Sequence, residues 1–221
     1  MSDDLVNCLQ KYKDNRHLFE RFQNGVVDFF RLDPSFIING ANVIHTIKAR
    51  LKDEDHLREK INRKCSEDMP ITAENILTKI TDLAGVRILH LYQDQFPIIH
   101  QRIMGQISSK EWALHEPPKA YSWDPEATDF FKNLGLTPEI KETFYTSIHY
   151  VVKPKEDSEI ICEIQVRTLF EEIWGEIDHS LNYPKPTENI ACKEQLRVLS
   201  KLVSTGTRLA DSIFRTSSTK L

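Results

Sequence analysis

Glycine is scarce in this sequence, with seven residues in 221, and there is no low-complexity tract or internal repeat. Long flexible linkers are therefore not expected, and the length suits one well-formed hydrophobic core with a helical appendage. Long apolar runs are also absent, since none approaches the roughly 18 residues that a membrane-spanning helix needs. We therefore expect no membrane association.

Cysteine is equally sparse. The four cysteines, Cys8, Cys65, Cys162 and Cys192, are scattered and form no CxxC pair. This spacing is typical of free thiols in a reducing compartment and argues against a metal cluster. The first residues, Met-Ser-Asp-Asp, are acidic and unlike a signal peptide. Together these features predict a cytoplasmic protein.

Neither sign of charge is in large excess: the chain has 33 acidic and 29 basic residues, which gives a net charge of −4. The overall charge therefore calls for no nucleic-acid partner, and any basic site must be local. One such concentration lies between residues 48 and 64, where a predicted strand meets a predicted helix. A helix N-terminus flanked by lysines can hold phosphate groups, although a charge run of this kind is more often a solvated helix face.

Hydrophobic periodicity predicts an α+β fold. Apolar spacing of three and four residues and capping signals predict helices at 5–31, 54–65, 72–79, 94–108 and 169–181 and at 189–214. Alternating or β-branched segments predict strands at 43–51, 86–92, 111–116, 143–153 and 159–168, the last two forming a hairpin. Capping residues are expected at Asp53 and Asp94. A short helix is predicted to begin at Asp124-Pro125 and to end at Gly135.

The residues with chemical potential lie in two distant segments. Asp82 sits in a short loop before the strand that carries Arg87, and Gly85 lies between them. In the second segment, Glu163 and Gln165 share one strand face with Arg167. Two carboxylates on neighbouring strands with arginines beside them suit a divalent metal and a polyphosphate. Capping by Asp82 and an ion pair of Glu163 with an arginine are the structural alternatives.

In their order along the chain, these segments resemble the RelA/SpoT nucleotide pyrophosphokinase domain over about residues 43–185. Four motifs of that domain have counterparts here. The matching residues are Arg50, Lys52, His56 and Lys60; Asp82, Gly85 and Arg87; Lys141, Tyr145, Ser147 and His149; and Glu163, Gln165, Arg167 and Thr168, followed by Trp174 and Asp178-His179.

The resemblance implies a nucleotidyltransferase-like α+β fold with a mixed, largely antiparallel sheet of about five strands. It places the pyrophosphokinase domain at 36–187, with an N-terminal helix (1–35) and a C-terminal helix (188–221) added to it. It also implies the reaction: ATP donates its β,γ-pyrophosphate to the 3′-hydroxyl of GDP or GTP, giving a (p)ppGpp-type alarmone. The cofactor implied is Mg²⁺.

The resemblance also assigns roles. Asp82 and Glu163 are expected to hold Mg²⁺, and Glu163 to act as the general base. The expected ATP-binding residues are Arg50, Lys52, His56, Lys60 and Arg87, with the two arginines sandwiching the adenine. The expected acceptor-binding residues are Lys141, Tyr145, Ser147, His149, Gln165 and Arg167.

Two departures from the family pattern concern the substrates. His56 replaces the usual serine, and Thr143-Phe144 replaces the asparagine-glycine before the acceptor tyrosine. The acceptor therefore stays open: a guanine nucleotide, an adenine nucleotide or the 3′ CCA end of tRNA, the last supported by a basic stripe of Lys193, Arg197 and Lys201. A non-catalytic nucleotide-binding module is the third hypothesis.

The chain contains no His-Asp dipeptide, the metal-binding pair of the family's hydrolase domains. We therefore expect a synthetase only, as in the small alarmone synthetases and their toxic relatives. An antitoxin, a further domain and homo-oligomerisation are left open as partners.

Overall fold

The computed structural model describes residues 3–66, 70–141, 143–183 and 185–218. The helices are α1 (Asp3–Leu32), α2 (Glu54–Lys64), α3 (Ile76–Lys79), α4 (Phe96–Ser108), α5 (Pro125–Asn133), α6 (Leu169–Asn182) and α7 (Ile190–Ser218). The strands are β1 (Ile37–Ile38), β2 (Ala41–Asn42), β3 (Thr46–Leu51), β4 (Ala84–His90), β5 (Ala113–Ser122), β6 (Thr137–Ile140), β7 (Ser147–Lys153) and β8 (Cys162–Thr168). The predicted α+β class is confirmed.

The main sheet is mixed and has six strands in the order β3-β4-β8-β7-β5-β6. The pairs β3–β4, β8–β7 and β7–β5 are antiparallel, whereas β4–β8 and β5–β6 are parallel. The predicted hairpin of β7 and β8 is present. Because β4 and β8 run side by side, the two chemically promising segments become neighbours although about 80 residues separate them in sequence.

Alternation along these central strands separates an apolar face from a polar one. Val86, Ile88, Ile164 and Val166 are buried on the apolar face, which is covered by α1 and α4. The polar face carries the side chains that alternate with them. The sheet therefore supplies the hydrophobic core on one side and leaves the other side available for a site.

Helix α1 is the element that fixes the apolar face of β3 and β4. Its buried stripe recurs at the predicted three- and four-residue spacing and includes Leu9, Tyr12, Phe19 and Val26. The Tyr12 hydroxyl donates to the Lys52 carbonyl at 2.8 Å, so the helix is also attached to the strand end by a hydrogen bond.

Several predicted boundaries were wrong. Strand β3 begins at Thr46 rather than at 43, and only Ile76–Lys79 of the segment 72–79 is helical. Asp94 does not cap α4, whose N-cap residue is Gln95. The Gln95 side chain accepts from the Leu91 and Tyr92 backbone N–H groups in the turn before the helix.

The segment 109–142 holds more β-structure than predicted. Strand β5 is ten residues long, and β6 adds an edge strand where only loop was expected. The short helix α5 follows the prediction: Asp124 accepts from the Glu126 N–H, and Gly135 has a φ of +79° just after the helix.

The last two helices bury fewer apolar side chains than their periodicity suggested. On α6, Trp174 is buried, whereas Ile173 and Ile177 are exposed. On α7, Leu196 and Val203 are buried, whereas Leu209 and Ile213, which the apolar periodicity of this helix predicts to be buried, are exposed. Pro184, whose ring the sequence predicts to interrupt the chain between these two helices, lies outside the described residues. Within those residues no helix combines the length and apolarity needed to cross a membrane.

Candidate active site

Asp82 is held by two lysines at the end of the loop that precedes β4. Its Oδ2 lies 2.9 Å from Lys52 Nζ and 2.7 Å from Lys60 Nζ. Lys52 follows β3, and Lys60 lies on α2, whose N-terminus is capped by Asp53 as predicted. Burial alone raises the pKa of Asp82, but Lys60 and Lys52 outweigh it and hold that pKa below its usual value. Asp82 is therefore a carboxylate at neutral pH.

Glu163 occupies the matching place on β8. Its Oε1 lies 3.1 Å from His149 Nδ1, and its Oε2 accepts from Gln165 Nε2 at 2.7 Å. Burial favours the neutral form, but the hydrogen bond and charge of His149 prevail over it and over the repulsion from Asp82, so the pKa of Glu163 is lowered. The side chain is thus ionised and fixed in orientation by two neighbours.

A cavity of about 320 Å³ joins these two acids on the polar face of the sheet. Strand register explains it: Gly85 pairs with Arg50 on one side and with Glu163 on the other. A Cβ on Gly85 would touch only backbone atoms, at 3.9 and 4.0 Å, so the missing side chain leaves open space between its neighbours. Asp82, Glu163, Arg50 and Arg87 all line this cavity.

Glu172 on α6 organises the cations beside the cavity, and sequence reasoning missed it. Its Oε1 lies 2.7 Å from Lys48 Nζ and 2.8 Å from Arg87 Nη1, and its Oε2 lies 2.7 Å from Arg167 Nη2. The Glu172 side chain is only 5% exposed. Arg87 also contacts Glu176 at 2.6 Å. A carboxylate that gathers cations from three strands cannot be inferred from local periodicity.

Aromatic residues continue the polar face beyond Glu163. The Tyr145 hydroxyl lies 3.0 Å from His149 Nε2, so Tyr145, His149 and Glu163 form one hydrogen-bonded chain. Tyr121 on β5, which was not predicted, contacts His149 edge-to-face at 4.9 Å between ring centroids. The Lys141 ammonium lies 4.2 Å from the centre of the Tyr121 ring. Lys141 is thereby attached to the acceptor-side residues through Tyr121.

Phe144 takes the place of the glycine in the family pattern and adopts a φ of +62°. This left-handed conformation explains why glycine suits the position and makes a phenylalanine there costly. The ring packs edge-to-face on Trp123 at 5.3 Å. Tyr145 follows immediately and contacts His149. Because the Phe144 ring packs on Trp123, it points away from the acceptor-side residues and does not reduce the space beside them.

Three predicted site residues have different surroundings from those that their assigned roles suggest. His56 is exposed and forms a short contact with Asp53. Ser147 is fully buried, and its hydroxyl donates to the Val166 carbonyl at 3.5 Å. Arg167 is buried, with its guanidinium 5.8 Å from the centre of the Tyr145 ring. Their assigned roles stay predictions.

The residues present fit a hard cation. Asp82 Oδ1 is buried without a hydrogen-bond partner in the described chain, next to a second carboxylate lining the same cavity. The described residues contain no group of three or more His, Cys, Asp or Glu arranged for a metal. Two carboxylates completed by substrate phosphates and water are the usual protein contribution to a Mg²⁺ site.

The fold and this cavity together define a mixed α+β domain whose polar sheet face combines two carboxylates with two arginines. The family described as "Region found in RelA / SpoT proteins" matches residues 49–188. The chain therefore belongs to the RelA/SpoT family, as its motifs predicted.

Two curated relatives come from Bacillus subtilis. The chain is 25% identical to GTP pyrophosphokinase YwaC over 184 residues, covering 82% of this chain and 79% of the relative. It is 28% identical to GTP pyrophosphokinase YjbM over 160 residues, covering 70% of this chain and 64% of the relative.

Solved structures of small alarmone synthetase 1 from Bacillus subtilis share the fold. The structure without a named ligand has a TM-score of 0.69 at 21% identity, covering 95% of this chain and 96% of that one. The complex with its product pppGpp has a TM-score of 0.67 at 22% identity, with 94% and 96% covered. The complex with AMPCPP has a TM-score of 0.64 at 20% identity, with 95% and 96% covered.

Proposed function

We propose that this protein transfers the β,γ-pyrophosphate of ATP to the 3′-hydroxyl of GDP or GTP, making a (p)ppGpp-type alarmone and releasing AMP. The observation that carries the proposal is the single cavity in which Asp82 and Glu163 lie together with Arg50 and Arg87. The names of the two curated relatives, GTP pyrophosphokinases, point to the same reaction.

ATP would bind across β3 and β4. The guanidinium planes of Arg50 and Arg87 provide flat, cationic surfaces on which an adenine ring stacks. Lys52 and Lys60, which now neutralise Asp82, are within reach of a triphosphate bound beside that acid. His56 lies at the start of the same helix, where the N–H groups favour anions.

Asp82 and Glu163 would hold Mg²⁺, which supplies charge neutralisation at the phosphate oxygens. Lys52 and Lys60 are then free to share the triphosphate charge with it. Before substrate binds, the two lysines neutralise the carboxylate of Asp82. This reduces the repulsion between the two acids in the unliganded site.

Glu163 is the proposed general base for the acceptor hydroxyl. Its lowered pKa keeps it ionised, and His149 and Gln165 hold both oxygens in place. A fixed, deprotonated carboxylate can accept the 3′-hydroxyl proton as the oxygen attacks the β-phosphorus. Pyrophosphoryl transfer otherwise depends on positioning and charge neutralisation, which the surrounding cations provide.

Tyr145 is the proposed stacking surface for the acceptor base. Lys141, His149 and Gln165 would orient acceptor oxygens, and Tyr121 would keep Lys141 and His149 in place. The structure gives little support to a tRNA or adenine-nucleotide acceptor. The Phe144 ring, which suggested an altered acceptor pocket, faces Trp123 instead. Guanine nucleotides therefore remain the preferred acceptors.

The test is an acceptor screen with the purified chain, Mg²⁺ and labelled ATP. GDP, GTP, ATP and deacylated tRNA are offered separately, and products are identified by mass. We expect AMP together with a guanosine 3′-diphosphate product from GDP or GTP. Label in tRNA, or no AMP with any acceptor, would contradict the proposal.

Glu163→Gln provides the mechanistic arm of the screen. Loss of the general base should lower kcat by roughly 10²- to 10⁴-fold, whereas ATP binding measured without Mg²⁺ should persist. Glu159→Gln is the matched control, because Glu159 is an exposed acid in the segment leading to the same strand. Equal activity of Glu163→Gln and Glu159→Gln would remove Glu163 from the mechanism.

A further inference from the structure

A second cavity, of about 250 Å³, lies apart from the active-site cavity and shares no lining residue with it. Its walls come from α5, α6 and α7 and from the loop before β7. At about 30 Å³ per water molecule, the space corresponds to roughly eight waters. It therefore has room for a small ligand of about ten non-hydrogen atoms.

Part of this second cavity is apolar and aromatic. Trp123, Phe130 and Phe144 contribute rings to its lining, and Val203 contributes an aliphatic wall. The rings of Trp123 and Phe144 already pack edge-to-face on one another. Aromatic faces of this kind attract the hydrocarbon part of a ligand and also a cationic group placed over the ring.

The charge of the lining is acidic, with five carboxylates against two arginines. The arginines are already engaged: Arg208 lies 3.0 Å from Asp124, and Arg215 lies 2.5 Å from Asp94. Glu171 accepts from the Thr168 N–H and Asp211 from the Asp94 N–H. The acids of the lining thus outnumber its cations, and both arginines of the lining already pair with other acids.

We propose that this second cavity binds a small organic cation, an amine or guanidinium group on a short apolar body. The cation would pair with Glu171 and Asp211, and the body would lie against Trp123 and Phe144. An anionic metabolite is disfavoured, because it would meet the same two acids.

The protonation of Glu171 supports this assignment. Burial raises the pKa of Glu171 to about 7, with a further rise from Asp211 on α7 and opposing effects from Thr168 and from Arg167 on β8. Burial also raises the pKa of Asp211. A bound cation favours the ionised acids, so binding should release protons and be tighter at pH 8 than at pH 6.

The second cavity is linked to the active site through one loop. Phe144 and Thr146 line the cavity, whereas Tyr145 between them contacts His149 in the active site. A ligand that fixes Phe144 therefore also fixes the backbone of Tyr145. If the proposed function holds, the bound cation should change the KM for the acceptor and leave the KM for ATP unchanged.

Isothermal titration calorimetry on the full chain tests the binding without depending on turnover. Cadaverine and agmatine are the cationic probes, 1,5-pentanediol is the neutral analogue and glutarate the anionic one. We expect saturable binding of a cationic probe only, at least tenfold tighter at pH 8 than at pH 6. Absence of cation binding up to about 10 mM, or equal binding of the diol, would overturn the proposal.

Asp211→Asn should weaken cation binding at least tenfold. Glu194→Gln is the matched control, since it removes an exposed acid of the same helix that pairs with Arg197 and should leave binding unchanged. Where Asp211→Asn fails to fold by circular dichroism, Glu171→Gln replaces it, because glutamine can keep the N–H contact of Thr168. Unchanged binding in a folded variant would refute the site, whatever the outcome of the acceptor screen.

Discussion

Phe144 shows at the scale of one residue how a change of side chain can be accommodated without a change of backbone. The turn needs a positive φ, which glycine adopts freely and a residue with a Cβ adopts at a cost. The contact with Trp123 offsets part of that cost. The family's turn is therefore retained, but its stability now depends on a ring that lies outside the active site.

At position 144 a glycine variant should be more stable than an alanine variant, which is the reverse of their usual order of stability. Phe144→Gly and Phe144→Ala both remove the ring, but only alanine retains the strain, so the glycine variant should be more stable by about 1 kcal/mol. Urea unfolding measures the difference. Lys155 is an exposed loop residue without positive φ, and there Ala should be at least as stable as Gly. The same order at both positions would contradict the explanation.

Glu172 is the second residue whose importance becomes visible only in three dimensions. It binds Lys48, Arg87 and Arg167 from three different strands, and Arg87 is a proposed adenine contact. We therefore propose Glu172 as a positioning residue, which would act through Arg87 rather than on the nucleotide. Without the negative charge of Glu172, the side chains of Lys48, Arg87 and Arg167 would lose the carboxylate that they share.

Glu172→Gln should raise the KM for ATP about tenfold, the equivalent of roughly 1.4 kcal/mol, because Arg87 loses a charged hydrogen-bond partner. Glu176→Gln is the control, since Glu176 contacts the same arginine but is 58% exposed; its effect should be smaller. Steady-state kinetics at saturating acceptor measure both. An unchanged KM for ATP in a variant that circular dichroism shows to be folded would argue against positioning by Glu172.

At the scale of elements, α1 supports the strands β3 and β4, across which ATP is proposed to bind. The buried Gln23 side chain donates to the Arg50 carbonyl at 2.7 Å and to the Gly85 carbonyl at 2.9 Å. These two carbonyls belong to the paired residues at the floor of the active-site cavity. The N-terminal helix is thus part of the folding unit of the catalytic sheet and not a separate appendage.

Gln23→Leu should destabilise the protein by about 1–3 kcal/mol, because two part-buried carbonyls lose a donor. Gln10→Leu is the matched control on the same helix, since Gln10 is exposed and donates to Asp14. Urea denaturation of both variants measures the effect. Equal stability of the two variants would show that the Gln23 contacts are replaced at no cost.

At the scale of the whole molecule, Glu171 makes stability depend on pH. Its pKa rises from an ordinary value of 4.5 to about 7 on folding, chiefly because it is buried. The folded protein therefore holds this proton more tightly than the unfolded chain does. The resulting stabilisation is complete below about pH 4.5, declines as the pH rises towards 7, and is absent above that range.

Glu171→Gln should cancel this trend, because glutamine keeps the cap but cannot ionise. The variant should gain stability relative to the wild type by up to about 1.4 kcal/mol per pH unit between pH 4.5 and 7, with a constant difference above pH 8. Thermal unfolding at each pH measures the difference. A difference that does not vary with pH would mean that Glu171 is not perturbed.

The sequence was sufficient to predict the motif residues, the strand alternation that places Glu163 and Gln165 on one face, and the family. These features depend on local periodicity and on short spacings, which a single chain displays directly. Predicted element boundaries were wrong where local capping signals compete with long-range side-chain contacts. Asp94, for example, binds Arg215 of α7 instead of capping α4. The prediction for the segment 109–142 missed β6, because an edge strand of four residues shows little alternation.

Which distant groups meet depends on how the elements pack in three dimensions. This packing brought Lys52 and Lys60 to Asp82, gathered three cations at Glu172, and enclosed Glu171 and Asp211 in a second cavity. Each of these contacts joins residues that are far apart in sequence or on different elements. Their physical origin is the pairing of β4 with β3 and β8, the packing of α6 on that sheet and the packing of α7 on α6, which no local pattern encodes.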